Sequence, residues 1–126
     1  MNKCIFVGRL TADVEQKVTS AGAAVCSFNL AVDRDFKDLQ GNRTTDFIPC
    51  VAWKQTAEFL SRYASKGDVI SVCAELNSRK YEKDDRKITV WEAIVREAHI
   101  VSKVERKQEE APKEEYEEVT GDGLPF

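Results

Sequence analysis

Thr44-Thr45-Asp46-Phe47-Ile48-Pro49-Cys50-Val51-Ala52-Trp53 runs without a break into Lys54-Gln55-Thr56-Ala57-Glu58-Phe59-Leu60-Ser61-Arg62-Tyr63-Ala64-Ser65-Lys66, and between the two halves the hydrophobic period changes. The first ten residues are rich in β-branched and aromatic types and alternate, as a strand does. Pro49 has no N–H for a ladder, so this strand is expected to be an edge or locally irregular there. The next thirteen residues read as a helix. Ala57, Leu60 and Ala64 fall on one stripe, Phe59 and Tyr63 adjoin it, and Gly67 stands where a C-terminal cap is expected.

Outward from this junction the remaining periodic segments are all strand-like. Lys3–Leu10 is the first, with Gly8 marking a bulge or a close backbone approach, and Val14–Thr19 is expected to continue it past a bend. Ser20-Ala21-Gly22 reads as a turn. Val25–Asp33 alternates, with Cys26, Phe28, Leu30 and Val32 on one side and Ser27 and Asn29 on the other. Arg34–Arg43 reads as a charged hairpin loop carrying one aromatic, Phe36. After the helix, Asp68–Arg79 is a strand, Lys80–Arg86 a polar hairpin and Lys87–Val104 a long last strand. No segment repeats. Three strands, a helix and two strands fit an all-β fold with one helix, a five-stranded Greek-key barrel of the OB type; other five-stranded barrels share this order.

Composition narrows the function. The chain has 126 residues and a net charge of −3, but the charge is divided unevenly. Residues 1–104 carry 16 Lys/Arg against 14 Asp/Glu, and residues 105–126 carry 3 against 8. A slightly basic domain over 1–104 therefore bears an acidic arm, which has almost no aliphatic content before its tip and is expected to be disordered. No apolar run approaches the ~18 residues that span a bilayer, and the N-terminus shows no signal-peptide pattern, so a cytoplasmic protein without a membrane partner is expected. Cys4, Cys26, Cys50 and Cys73 are widely spaced within apolar segments and read as buried reduced thiols, not as disulfides or metal ligands.

No convergent catalytic set is visible. His99 is the single histidine, and a lone histidine in a strand reads as structural or surface. There is no nucleophile elbow, no Gly-rich phosphate loop and no metal-ligand spacing, so neither an enzyme nor a cofactor is expected.

What recurs is an aromatic ring beside a basic residue. Arg34 and Lys37 flank Phe36, Arg43 precedes Phe47, Lys54 follows Trp53, and Arg79 and Lys80 precede Tyr81, with Lys87 close behind. The pleat places Phe47 and Trp53 on one face and Ile48, Cys50 and Ala52 on the other. With the small and aliphatic set inside, two large rings stand outside, where unpaired bases can stack on them while nearby cations track phosphates. The reverse orientation would make both rings core. Phe6 and Phe28, among aliphatic neighbours, read as core, and Trp91, between Val90 and Glu92, as structural.

The arm ends Gly121-Asp122-Gly123-Leu124-Pro125-Phe126. Two apolar side chains beside a free carboxylate, stiffened by Pro125, suit capture in an apolar pocket with a basic rim; a frayed terminus is the plain alternative.

On these residues the chain resembles the bacterial and phage single-stranded DNA-binding proteins. The likeness is carried by Asn2-Lys3, Val7-Gly8-Arg9-Leu10, Phe28-Asn29-Leu30-Ala31-Val32, Asp46-Phe47-Ile48, Val51-Ala52-Trp53, Lys66-Gly67-Asp68, Arg79-Lys80-Tyr81 and the last six residues. The resemblance implies an OB fold, a homotetramer, and stacking on Phe36, Phe47, Trp53 and Tyr81. It also implies docking of replication, recombination and repair proteins on Asp122, Leu124, Pro125 and Phe126, in a nucleoid-associated cytoplasmic setting. Two features depart from the pattern: the tip lacks consecutive aspartates, and the arm lacks a long Gly/Gln/Pro-rich linker. RNA binding and a scaffold that merely organises partners are the rival readings.

Overall fold

The computed structural model describes residues 1–104; the acidic arm and its tip, Asp122, Leu124, Pro125 and Phe126, lie outside the described residues. Six strands and one helix follow in the order β1 (Cys4–Leu10), β2 (Lys17–Val18), β3 (Ala24–Lys37), β4 (Arg43–Trp53), α1 (Lys54–Tyr63), β5 (Val69–Lys83) and β6 (Arg86–Ser102). Strand neighbours run β1-β5-β6-β4-β3-β2, and β1 also pairs with β3, which closes five strands into a barrel. All pairings are antiparallel except β4 with β6, because α1 reverses the chain between the third and fourth barrel strands. This is the OB-type barrel that the order of elements predicts.

Closure depends on Gly8. Arg9 and Leu10 pair with Ala31 and Leu30 where β1 leaves β5 to meet β3. A Cβ on Gly8 would lie 2.5 Å from the Ala31 carbonyl oxygen and 2.9 Å from a Val32 methyl carbon. The close backbone approach expected at this glycine is the seam of the barrel. The alternating residues of the five barrel strands then fill the interior: Leu10, Cys26, Phe28, Leu30, Cys50, Ala52, Ile70, Val72, Ala74, Ala93 and Val95 are buried, with Phe6 and Ile48 packed against them. Ala57, Leu60 and Ala64 bury the helical stripe against the same core.

Several boundaries differ from the sequence reading, with one common cause. The segments read as polar loops at Arg34–Arg43 and Lys80–Arg86 are mostly strand: β3 continues to Lys37, β5 to Lys83, and β6 starts at Arg86. Beyond the barrel both faces of a ribbon meet solvent, so its side chains carry no apolar alternation. The β5–β6 ribbon turns on Asp84 and Asp85 alone, both with positive φ (52° and 63°), the pair of left-handed residues that a tight primed hairpin requires. The β3–β4 turn is held by the Asp38 carboxylate, which accepts from the Gln40 and Asn42 amides at 3.0 and 2.7 Å. Residues 14–19 do not extend β1. Lys17 and Val18 pair with β3 instead, while Val14 enters the core. Pro49 behaves as expected: β4 is flanked on both sides only from Cys50 to Ala52, and Pro49 lies just outside that stretch.

The helix ends at Tyr63, not at Lys66, and Gly67 does not cap it. The cap position is Ala64, in extended conformation. The following turn is organised by Asp68, the one buried charged residue among those described. Its carboxylate accepts from the Ser65 amide (2.8 Å), the Val104 amide (2.8 Å) and the Lys103 ammonium (2.7 Å), and Lys103 also donates to the Tyr63 carbonyl (2.7 Å). Gly67, at φ +92°, turns against Val104, whose methyl carbon would meet an added Cβ at 3.1 Å. Helix end, β5 start and the end of β6 are thus fastened at one carboxylate. Burial pushes the Asp68 carboxyl up, but the Lys103, Val104 and Ser65 hydrogen bonds outweigh it and hold it below the ordinary value of 3.8.

The thiols are all free. Cys26 and Cys50 are buried, and burial pushes the Cys50 thiol up to about 12 and the Cys26 thiol upward, so both act as small apolar groups. Cys4 and Cys73 are only half-buried, contrary to the reading of all four as buried.

A carboxylate whose folded pKa is depressed stabilises the fold above its unfolded pKa and loses that contribution as pH falls through the folded value. Asp68→Ala is therefore expected to cost about 1–3 kcal/mol at neutral pH, by removing the acceptor of buried amides. In thermal melts the gap between wild type and variant should narrow below a pH of about 4. A gap that is constant from neutral to acid pH would count against the charged clasp.

Candidate nucleic-acid interface

The barrel interior decides which side of each strand is free. With Cys50 and Ala52 buried, the opposite parity of β4 points outward, and Phe47 is 63% and Trp53 42% exposed. The register carries this outer face across the sheet. Val51 of β4 lies beside Ile94 of β6; on the same side of β6, Ile94, Glu92, Val90 and Ile88 face Glu75, Asn77, Arg79 and Tyr81 of β5. Phe47, Trp53 and Tyr81 (41% exposed) thus share one face of three adjacent strands. Arg43 has the same parity in β4 as Phe47, and its cross-strand partner is Lys37.

Two aromatics predicted as stackers are placed differently. Phe36 is 84% exposed, but it sits where the β3–β4 register shifts between Asp33 and Lys37, so the pleat does not assign it to the same face. The Arg79 guanidinium lies over the Tyr81 ring, 6.0 Å from its centroid, and covers one side of it. The rim of the ring and its other side are what remain for a ligand.

The cations predicted as one set fall into three groups. Arg34 donates to both Asp46 oxygens, at 2.9 and 3.1 Å, on the parity opposite to Phe47; Arg79 donates to Glu92 at 2.9 Å. The Arg34 hydrogen bond holds the Asp46 carboxyl below its ordinary range. Arg43 donates to the Arg34 carbonyl at 2.8 Å. Exposed pairs of this kind contribute little stability, so their effect here is to fix where these guanidinium groups point. Lys37, Lys54, Lys80 and Lys87 carry no ion pair among the described residues. Lys80 and Lys87 belong to the reverse side of the β5–β6 ribbon, opposite Thr89 and Glu82.

Lys54 is singled out by its backbone. It is the first residue of α1 yet has φ +56°, and Trp53 before it provides no side-chain cap. A left-handed lysine is uncommon and strained, and here it makes the corner by which the chain leaves β4 for the helix. The corner begins at the residue next to Trp53, whose indole is 42% exposed.

Trp91, read from the sequence as structural, stands 55% exposed on β6, and no ring contact involves it among the described residues. Its apolar flank, Val90, suggested burial, but Val90 points to the other side of the ribbon. His99 is exposed and pairs with Glu97 at 2.9 Å, and among the described residues no group of three or more His, Cys, Asp or Glu is placed to hold a metal ion. Among the described residues no helix is long and apolar enough to cross a membrane.

A closed OB-type barrel with aromatic rings and cations on its sheet face defines a class of oligonucleotide-binding domains. Comparison with known proteins is more specific. The model of the single-strand binding protein family matches residues 1–101, and the chain belongs to that family. It is 34% identical to Single-stranded DNA-binding protein 4 of Streptococcus agalactiae serotype V, over 100% of this chain and 99% of that protein. It is 43% identical to Single-stranded DNA-binding protein 3 of Listeria innocua, over 86% of this chain and 66% of that one. A Single-stranded DNA-binding protein of Oceanobacillus iheyensis is 41% identical over 75% of this chain, but the match spans only 59% of its length.

Proposed function

We propose that this chain is a non-enzymatic, sequence-tolerant single-stranded DNA-binding protein, with residues 1–104 as the binding domain and 105–126 as a partner-docking arm. The observation that carries the reading is the placement of Phe47, Trp53 and Tyr81 on one sheet face, with Lys37, Arg43, Lys54 and Arg79 around them. Rings of this kind accept any base through its π-face, and cations at their margins follow the phosphates, so affinity without sequence preference results. Phe36 extends the surface along the β3–β4 ribbon. Arg34, held by Asp46, acts at its margin and not at a base. The protein coats transiently exposed strands and melts hairpins by mass action. Family membership and the names borne by its relatives support the choice of DNA over RNA, which stacking alone does not make.

The arm completes the role in replication, recombination and repair. Asp122, Leu124, Pro125 and Phe126 present a carboxylate and apolar side chains to partner proteins, while the acidic residues before them keep the tip off the polyanion. Self-association, as the homotetramer that the family resemblance implies, has surface available on β1. Ile5 and Val7 are exposed on its outer side, and from Cys4 to Gly8 the strand is paired with β5 but not with β3. An open edge beside exposed aliphatic side chains is a ready surface for a second copy.

Anisotropy titration of labelled oligo-dT tests the first claim. Phe47→Ala and Trp53→Ala should each weaken binding by ~1–3 kcal/mol while the cooperative melt persists. Affinity should also fall steeply with salt, and a constant affinity over a tenfold change in salt would remove the phosphate contacts from the mechanism. Equal competition by oligo-U would shift the assignment to single strands in general. Deleting residues 121–126 should abolish capture of partner proteins and leave DNA affinity unchanged or slightly higher; capture that persists would refute docking at the tip. Ile5→Glu should yield a smaller species in sedimentation velocity, whereas an unaltered assembly would place self-association elsewhere.

A further inference from the structure

Trp91 belongs to a surface that the face described above does not include. By register it lies opposite Ser78, and the next pairs on the same side towards the ribbon tip are Thr89 with Lys80 and Lys87 with Glu82. All six point to the reverse side of the β5–β6 ribbon from Tyr81. One pair inward, on this same side, Leu76 faces Ala93, and Ala93 is already core. Trp91 therefore stands where the barrel interior opens into solvent.

Three observations give this surface a ligand. The indole is 55% exposed and makes neither a ring contact nor a hydrogen bond among the described residues, which leaves a broad flat ring unused. Lys80 and Lys87 lie along the ribbon from it without ion pairs, and Glu82, the one acid among the six, makes none either. The ribbon also has free edges: β1 pairs with β5 only up to Ala74, and β4 pairs with β6 only from Ala93 to Val95. Nothing in the sheet bars a flexible chain from passing round it. Lys80 and Tyr81 are consecutive, so the two sides are continuous at the edge of β5.

We infer that Trp91, with Lys80 and Lys87, forms a second stacking station on the back of the β5–β6 ribbon, reached by a single strand that passes Tyr81 and wraps over the edge. The inference rests on the single-strand-binding reading above and adds the path of the strand to it. A second copy of the chain is the less fitting occupant. Towards the ribbon tip the neighbours of Trp91 are polar or charged, and Leu76 alone adds an apolar, 37% exposed side chain on its inner flank. A contact between copies would bury a wider apolar surface, while a ring followed along the ribbon by two unpaired ammonium groups matches a base followed by phosphates.

The chain has two tryptophans, so each can report alone. Trp91→Phe leaves Trp53 as the only indole, and Trp53→Phe leaves Trp91. An oligo-dT of about 8 nucleotides, within the range of a single OB-fold site, should quench Trp53 emission and leave Trp91 emission nearly unchanged. An oligo-dT several times longer should quench both. Trp91→Ala should weaken the longer strand about fivefold or more and the short one not at all. Lys80→Gln with Lys87→Gln should make the salt dependence shallower for the longer strand alone.

Saturation by the longer strand, verified by anisotropy of its own label, with no change in Trp91 emission would overturn the inference and leave the DNA-binding reading intact. Quenching of Trp91 by the short strand would place it within the Trp53 footprint and remove the wrap. Altered sedimentation of Trp91→Ala with unaltered long-strand affinity would assign the ring to a contact between copies. Failure of wild type to bind either strand would end both readings together.

Discussion

The structure depends on one close approach, that of β1 to β3 at Gly8. A sheet that did not close there would leave β1 and β3 as two unpaired edges and the Leu10–Leu30 layer open to water. Closure needs the β1 backbone to come within van der Waals distance of the Ala31 carbonyl, and any side chain at position 8 would occupy that space. Once the barrel is closed, each strand has one inner and one outer side. Every later assignment, of core and of surface, follows from that division.

The division explains why large rings stand in solvent. Cys50 and Ala52 are small enough for the crowded interior, so the strand that carries them must turn Phe47 and Trp53 outward. Leaving such rings exposed forgoes the stabilisation that burial brings, about 25 cal/mol for each Å² left in water. The same parity lines up β4, β6 and β5, so rings distant in sequence meet on one surface. The Arg79–Glu92 ion pair then holds one guanidinium on that surface and the Arg34–Asp46 pair another on the opposite side, while Lys37, Lys54, Lys80 and Lys87 make no ion pair among the described residues. The Asp68 clasp acts at the other end of the chain's path. By holding Lys103 and Val104 it fixes the point at which the chain leaves the described domain.

The barrel was readable where one side of a strand is buried, because burial imposes alternation on the sequence. Cys26-Phe28-Leu30-Val32 and Ile48-Cys50-Ala52 are such runs, and the change to helical period at Lys54 locates α1. The ribbons were not readable. Lys37, Arg43, Lys80 and Lys87 lie on strands whose two sides both meet solvent, so polarity there resembles that of a loop. The helix end was misread at Gly67, because a glycine after an apolar stripe resembles a cap; here its positive φ serves a turn built around Asp68, two of whose three partners lie 35 and 36 residues away.

The sequence by itself determined the number and kind of barrel elements, that Phe47 and Trp53 share one side of their strand, the adjacency of rings and cations along the chain, and the family likeness. These are local or periodic properties, written in neighbouring residues. Tertiary structure alone decided how the rings and cations are shared between the two sides of the sheet. Tyr81 joined Phe47 and Trp53, whereas Arg34, Lys80 and Lys87 took the other side. Trp91, flanked by an aliphatic residue and an acid, came to stand in water. The reason is physical: which side a residue faces depends on cross-strand register, and register is fixed by pairing between strands far apart in the chain.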